Sequence, residues 1–269
     1  MPTVRVNDIE LYYESRGDGE PLVLIPGFGT GLWIWYRQVA DFAEKFRTIV
    51  FDPRGTARSS AVPDEPLTMR RLAADVAALL DELSVERAHI LGASFGGFVA
   101  QEFALAYPER TRGLILCCTS YGGPRHCPPA PETLQALAST KGLNTEERVR
   151  ENLLLAFSPD FAASHPAEIE RVIALRAENH VPEHAYLRQL QAAMAFDAEG
   201  RVAEIKAPTL VITGDADVIV PRENSANLAA AIPGARFQVI EGGSHTFFIE
   251  RPAEFNRAVV EFIKSLPKT

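Results

Sequence analysis

The chain has 269 residues, 46% hydrophobic and 23% charged, which is enough apolar material for one large buried core. Its 35 acidic against 27 basic residues leave a net charge of −8, and this argues against nucleic acid as a partner, since phosphate binding needs a basic face. No apolar stretch is long enough to span a bilayer, residues 1–10 carry charge early without an apolar leader core, and three cysteines, two of them adjacent, make no disulfide framework, so a cytoplasmic protein without a membrane partner is expected.

In chain order, Val4–Val6 and Leu11–Tyr13 read as short strands joined at Asn7-Asp8, an antiparallel pair at a sheet edge. Leu22–Ile25 and Thr48–Phe51 read as buried strands with a helix near Ile34–Lys45 between them. Leu67–Leu83 places Leu72, Val76, Leu79, Leu80 and Leu83 at helical spacing and offers Thr68 as a cap. The apolar run Ala88–Leu91 is the next strand, Phe98–Tyr107 the next helix and Leu114–Cys118 the strand after it. This alternation predicts an α/β fold with a mostly parallel sheet and helices on both faces.

The alternation stops after Thr119. Residues 121–201 show turn-rich patches and helical patterns at Pro131–Ser139, Thr145–Ala156, Pro166–Asn179 and Pro182–Ala195, with no strand among them. Strands resume at Thr209–Thr213 and Arg236–Ile240, completing eight. The expected organisation is a core of residues 1–120 and 202–269 interrupted by a helical insertion over 121–201.

Between strand and helix lies Gly92-Ala93-Ser94-Phe95-Gly96, followed by Gly97. Strand, Gly-x-Ser-x-Gly, helix is the setting in which a serine hydroxyl is thrust from a sharp turn, and the small flanking residues make room for that turn. A serine hydroxyl needs a base, and the base needs an orienting group. Gly214-Asp215-Ala216-Asp217 follows one late strand and Glu241-Gly242-Gly243-Ser244-His245 follows the other. Nucleophile, acid and base thus fall beyond the carboxyl ends of three strands, the edge at which open α/β sheets bind ligands.

With Ile25-Pro26-Gly27-Phe28-Gly29, Asp52-Pro53-Arg54-Gly55 and Glu250-Arg251-Pro252 added, the sequence resembles the α/β-hydrolase family nearly end to end. The resemblance implies an α/β-hydrolase fold in which the insertion is a cap over the site. It implies Ser94 as nucleophile, Asp217 as acid (Asp215 being the alternative, with Asp217 then a helix cap) and His245 as base. It implies the backbone N–H groups of Phe28 and Phe95 as the oxyanion hole, and no cofactor. The chain departs from the common pattern at Pro26-Gly27, where many members have His-Gly, and at Arg54-Gly55-Thr56-Ala57, where many have Arg-Gly-His-Gly.

The expected reaction is cofactor-free hydrolysis of a small carboxylic ester or lactone through an acyl-enzyme. The layout resembles the branch of 3-oxoadipate enol-lactonases and haloperoxidase-like esterases. Carbon–carbon hydrolysis of ring-cleavage products with the same triad and ligand reception on the same fold are the alternatives. Trp33, Phe157 and Phe247 are candidate substrate contacts, since an aromatic-lined pocket suits a small hydrophobic group. Arg125 and Arg176 are candidates for a substrate carboxylate, with surface solvation as the competing role. His180 and His184 have metal-like spacing, but Pro182 breaks their shared face, and no metal site is expected. His89 reads as a strand residue near the surface, His126 and His165 as surface residues of the insertion, Cys117 and Cys118 as core, and Asp52 and Arg54 as a structural turn.

Overall fold

The computed structural model describes residues 2–60, 66–138 and 145–267. Among them are eight strands: β1 (Thr3–Val6), β2 (Ile9–Arg16), β3 (Glu20–Ile25), β4 (Phe46–Phe51), β5 (Ala88–Ala93), β6 (Thr111–Cys117), β7 (Thr209–Gly214) and β8 (Arg236–Ile240). They form one sheet in the order β1-β2-β4-β3-β5-β6-β7-β8. The β1/β2 and β2/β4 pairings are antiparallel and the rest parallel, as the edge hairpin and the later alternation predict.

The helices are α1 (Val39–Ala43), α2 (Met69–Glu82), α3 (Phe95–Ala106), α4 (Pro131–Ala138), α5 (Thr145–Leu155), α6 (Pro159–Ser164), α7 (Pro166–Glu178), α8 (Glu183–Met194), α9 (Arg222–Ala231), α10 (Phe247–Glu250) and α11 (Pro252–Lys264). Central strands read as continuous apolar runs because both faces are covered. Alternate residues feed two cores. Val23, Ile25, Ile90, Leu114 and Leu116 pack with Leu72, Val76, Leu79 and Leu80 of α2 and with Val99 and Phe103 of α3. Leu22, Leu24, Leu91, Ile115 and Ile212 pack on the other face with Phe42 of α1 and Phe255, Val259, Phe262 and Ile263 of α11. Each such side chain contributes about 1.5–3 kcal/mol on burial. Thr68 caps α2 as expected, its hydroxyl accepting the Arg71 N–H at 3.1 Å.

The chain between β6 and β7 is helical, carrying α4 through α8, and a bridge between Gly122 and Asp197 closes its base. Four of its helices match the sequence patterns, and α6, begun by Pro159 and capped by Ser158, is added. The single helix expected over Ile34–Lys45 is instead a 3-10 turn at Leu32–Trp35 followed by the short α1. All four side chains of that turn are buried, which a surface helix with one wet face does not allow. The sequence reading also stops short of α11, whose Phe255, Val259 and Phe262 make one apolar stripe. Among the described residues no helix is long and apolar enough to cross a membrane.

Candidate active site

The β5–α3 junction sets the first element of the site. Every residue from Ala88 to Gly97 is buried except Ser94, so the turn delivers this side chain outward. Ser94 holds φ 52° and ψ −118°, a costly conformation for a residue with a Cβ. It persists because its N–H donates to the Cys117 carbonyl at 2.8 Å, while its own carbonyl accepts from the Gly97 N–H and the Thr119 hydroxyl, each at 2.8 Å. The glycines are needed for space. A Cβ on Gly92 would stand 2.2 Å from the Gly96 carbonyl oxygen, and one on Gly96 would stand 2.3 Å from that of Ile25.

The second element is the loop after β3. Gly27 lies beside the elbow, the position of a Cβ there being 3.7 Å from Ser94 Cβ. The Phe28 and Phe95 rings meet edge-on at 6.1 Å. The Phe28 N–H has no acceptor among the described residues, and the Phe95 N–H is in the first turn of α3, where a helix supplies none. Both donors named from the sequence are thus unsatisfied and on neighbouring segments.

The third element joins the ends of β7 and β8. His245 Nδ1 is 2.7 Å from Asp217 Oδ2. Asp217 is buried, and its Oδ1 accepts the Ile219 and Val220 N–H groups at 2.9 and 2.8 Å. Asp215 is exposed and accepts the Gly242 N–H at 2.6 Å, tying the two loops together. The geometry therefore pairs His245 with Asp217 and gives Asp215 a different task. Ser94 Oγ makes no hydrogen bond to His245 or to any other described residue.

Burial disfavours the charged imidazole of His245, but the Asp217 carboxylate offsets this and its pKa is raised to about 9. Cys118 lies beside the pair, and burial with Cys117 next to it holds its thiol well above the usual range. Cys118, Asp217 and His245 bring potential metal-ligand atoms within 4.8 Å of one another. Both Asp217 oxygens are already hydrogen-bonded, Oδ1 to two backbone N–H groups and Oδ2 to His245.

The insertion grips two of these loops. The Ala156 carbonyl accepts from Ser244 Oγ (2.7 Å), Thr246 N (3.0 Å) and Thr246 Oγ1 (2.7 Å), the residues on either side of His245. The Glu250 carboxylate accepts Ser158 N at 2.6 Å and Ser244 N at 3.3 Å. On the other side Gln189 of α8 bonds to Gly29, and Tyr186 meets the Phe28 ring at 4.5 Å. Local sequence gives no sign of Gln189, Ala156 or Glu250 in these places.

The remaining candidates disperse. Trp33 is buried, its indole N–H without a partner among the described residues. Phe157 is buried and stacked on Phe161 at 5.7 Å. Phe247 is 0% exposed and packed edge-on against Phe255 at 5.6 Å, inside the core. Arg125 pairs with Glu199 at the surface. Arg176 is partly buried, with Nη2 3.0 Å from the Cβ position of Gly29 and no acidic partner among the described residues. Burial pushes its pKa down. His89 is buried rather than near the surface, and bonds Glu20 at 3.2 Å. His126 bonds Ser120 at 3.1 Å, and His165 stacks on Phe161. Asp52 accepts from Leu32 N and Arg58 Nε, each at 2.9 Å, the structural turn expected of it.

Residues 20–252 match the model of the alpha/beta hydrolase fold family. The chain is 33% identical over 265 residues to a putative carbamate hydrolase RutD of Azorhizobium caulinodans, covering 97% of this chain and 98% of that one. It is 31% identical to the 2-hydroxy-6-oxo-6-phenylhexa-2,4-dienoate hydrolase of Comamonas testosteroni, with coverage of 96% and 93%. Among solved structures, the enol-lactonase from Burkholderia xenovorans LB400 superposes with a TM-score of 0.85 at 30% identity, covering 98% of this chain and all of that one. The chain belongs to the alpha/beta hydrolase fold family, and family and relatives together make it a hydrolase.

Proposed function

We propose that the protein is a cofactor-free serine hydrolase of small carboxylic esters or lactones, with Ser94 as nucleophile, His245 as general base and Asp217 as its orienting acid. The observation that carries this reading is that an out-turned serine after β5 and a carboxylate-bound histidine after β8 both border the end of β6, Ser94 through its bond to Cys117 and the His245–Asp217 pair beside Cys118. Ser94 Oγ attacks the carbonyl carbon as its proton passes to His245 Nε2, through a hydrogen bond that forms when substrate binds. The carbonyl oxygen becomes an oxyanion held by the N–H groups of Phe28 and Phe95. His245 then protonates the leaving group and the carbon–oxygen bond breaks, leaving an acyl-enzyme. Water gives its proton to His245, adds to the acyl carbon and releases the acid with Ser94 restored.

The helices α4–α8 are read as the cap of this site, since they brace the loop of His245 and the loop of Phe28. Arg176, a cation beside the oxyanion loop without an acidic partner among the described residues, points to a substrate that carries its own carboxylate. Trp33, whose buried indole N–H has no partner among the described residues, is kept as a candidate substrate contact, and Phe247 is assigned to the core. The Comamonas relative, named for a dienoate, supports carbon–carbon hydrolysis as the second reading, and the RutD relative brings in carbamates. Each places a carbonyl carbon before the same nucleophile.

A fluorophosphonate probe tests the assignment. It is expected to attach covalently to Ser94 in the wild type and not to label Ser94→Ala. An adduct on another residue, or equal labelling of both proteins, would remove Ser94 from the mechanism.

A further inference from the structure

We propose that Gln189, on α8, is a positioning residue of the oxyanion hole, acting from the insertion on the peptide that follows Phe28. The inference rests on the reading above, in which the Phe28 N–H receives the oxyanion.

The loop around Phe28 is a turn. The Gly27 carbonyl accepts from Thr30 N at 3.3 Å and from Thr30 Oγ1 at 2.9 Å. Gly29 supplies the left-handed residue with φ 60°. The peptides of this loop are trans, so the N–H of each unit points opposite to its carbonyl. Two bonds from Thr30 on the Gly27 oxygen thereby fix the direction in which the Phe28 N–H points. The next peptide unit is fixed from its other end. Its N–H, that of Gly29, donates to Gln189 Oε1 at 2.7 Å. Phe28 is thus clamped on both sides, by Thr30 from within the loop and by Gln189 from 160 residues away.

The orientation of the Gln189 amide is not arbitrary. A backbone N–H can only donate, so the oxygen must face Gly29 and the nitrogen must face away. That nitrogen donates to Thr56 Oγ1 at 3.2 Å. Gln189 is 1% exposed and Thr56 0%. Thr56 stands where many family members have a histidine, and Pro26-Gly27 where many have His-Gly. Gln189 therefore links Thr56, at one departure, to the loop that carries the other. Loss of Gln189 would leave the buried Gly29 N–H without an acceptor and free this peptide to rotate, so the donor at Phe28 would lose its aim.

The test is steady-state hydrolysis of p-nitrophenyl butyrate by the full chain and by Gln189→Leu, Gln189→Glu and Ser94→Ala, with melting temperatures measured alongside. Gln189→Leu is expected to lower kcat by about tenfold to a hundredfold with KM within about twofold, the pattern of an interaction felt in the transition state. Its affinity for a phenylboronic acid, which forms a tetrahedral anion on the serine, should fall by a similar factor, while butyrate inhibition stays unchanged. Gln189→Glu keeps an acceptor for Gly29, and the Thr56 hydroxyl can turn to donate, so this variant should recover most of the loss. The inference is overturned if Gln189→Leu keeps wild-type kcat and boronate affinity. It is overturned equally if both Gln189 variants lose kcat, butyrate affinity and melting temperature together, as a purely structural role would require. Activity surviving in Ser94→Ala would remove the underlying reading as well, whereas an inactive Ser94→Ala beside a wild-type-like Gln189→Leu would remove the Gln189 role alone.

Discussion

Asp217 holds His245 by a single oxygen while its other oxygen is tied down by two backbone N–H groups. Oδ2 is 2.7 Å from His245 Nδ1, and Oδ1 accepts from Ile219 and Val220. The carboxylate cannot swing without losing both backbone bonds, so it fixes the imidazole's tautomer as well as its orientation. Asp215, two residues earlier, is exposed, and its carboxylate bonds only the Gly242 N–H among the described residues.

This contrast separates the two acids. Asp217→Asn is expected to lower kcat by about a thousandfold to ten-thousandfold, through loss of the tautomer that the base needs. Asp215→Asn keeps an acceptor for Gly242 and should stay within about fivefold of wild type, in keeping with a loop contact at the surface. Rates of ester hydrolysis for the two variants check this, and the reverse ranking would transfer the acid role to Asp215.

The pH profile follows from the same pair. A histidine serves as base only when neutral, and His245 is raised to about 9 from an ordinary 6.5. The expected kcat/KM therefore rises with pH through the alkaline range instead of levelling off just above pH 6.5. Asp217→Asn should move what activity remains to a lower midpoint. Stability has the opposite slope. A raised histidine pKa contributes stability that is complete below pH 6.5 and is lost as pH rises through about 9. Melting temperatures across this range, flatter in Asp217→Asn than in wild type, check the sign.

The eight strands and the elements after β5, β7 and β8 were legible because each is written locally, as an apolar run followed by a turn with its own chemistry. The elbow is the clearest case, a Gly-x-Ser-x-Gly run set directly between an apolar strand and a helix. The insertion was expected as a cap, but the contacts by which it braces the loops of Phe28 and His245 were not legible. Gln189 sits in a polar helix and reads as a solvent-facing residue, and its partner is 160 residues distant. Arg176 was named from the sequence beside Arg125, but only the structure separates them, with Arg176 against the Gly29 loop and Arg125 paired with Glu199 at the surface. The helix expected over Ile34–Lys45 failed in the other direction: burying all of Leu32–Trp35 goes with a tighter 3-10 turn, and the helix proper is only the short α1.

Arg176 gives a prediction on selectivity. Arg176→Gln should reduce kcat/KM for mono-p-nitrophenyl succinate by about tenfold to a hundredfold relative to p-nitrophenyl butyrate, the scale of a lost charge-assisted contact. Competition between the two esters measures the ratio directly. An unchanged ratio would mean that this guanidinium does not meet the substrate.

A structural pair offers a contrast to these functional effects. Arg54 is 2% exposed and donates to Asp75 through Nε and Nη2, both at 2.6 Å, with Asp8 as a further partner at 2.9 Å. Asp75→Ala would leave a buried cation with one partially exposed carboxylate, and a loss of about 3–5 kcal/mol is expected. Urea unfolding checks the loss, and the folded fraction of the variant should hydrolyse esters at the wild-type rate.

The central claim is that Ser94 is the nucleophile, and turnover of p-nitrophenyl acetate and butyrate by wild type and Ser94→Ala, without added metal or cofactor, measures it most directly. The account predicts many cycles in the wild type and a loss of more than about a thousandfold in a variant that melts like the wild type. Turnover persisting in Ser94→Ala, or a wild type that releases one equivalent of nitrophenol and then stops, would contradict it.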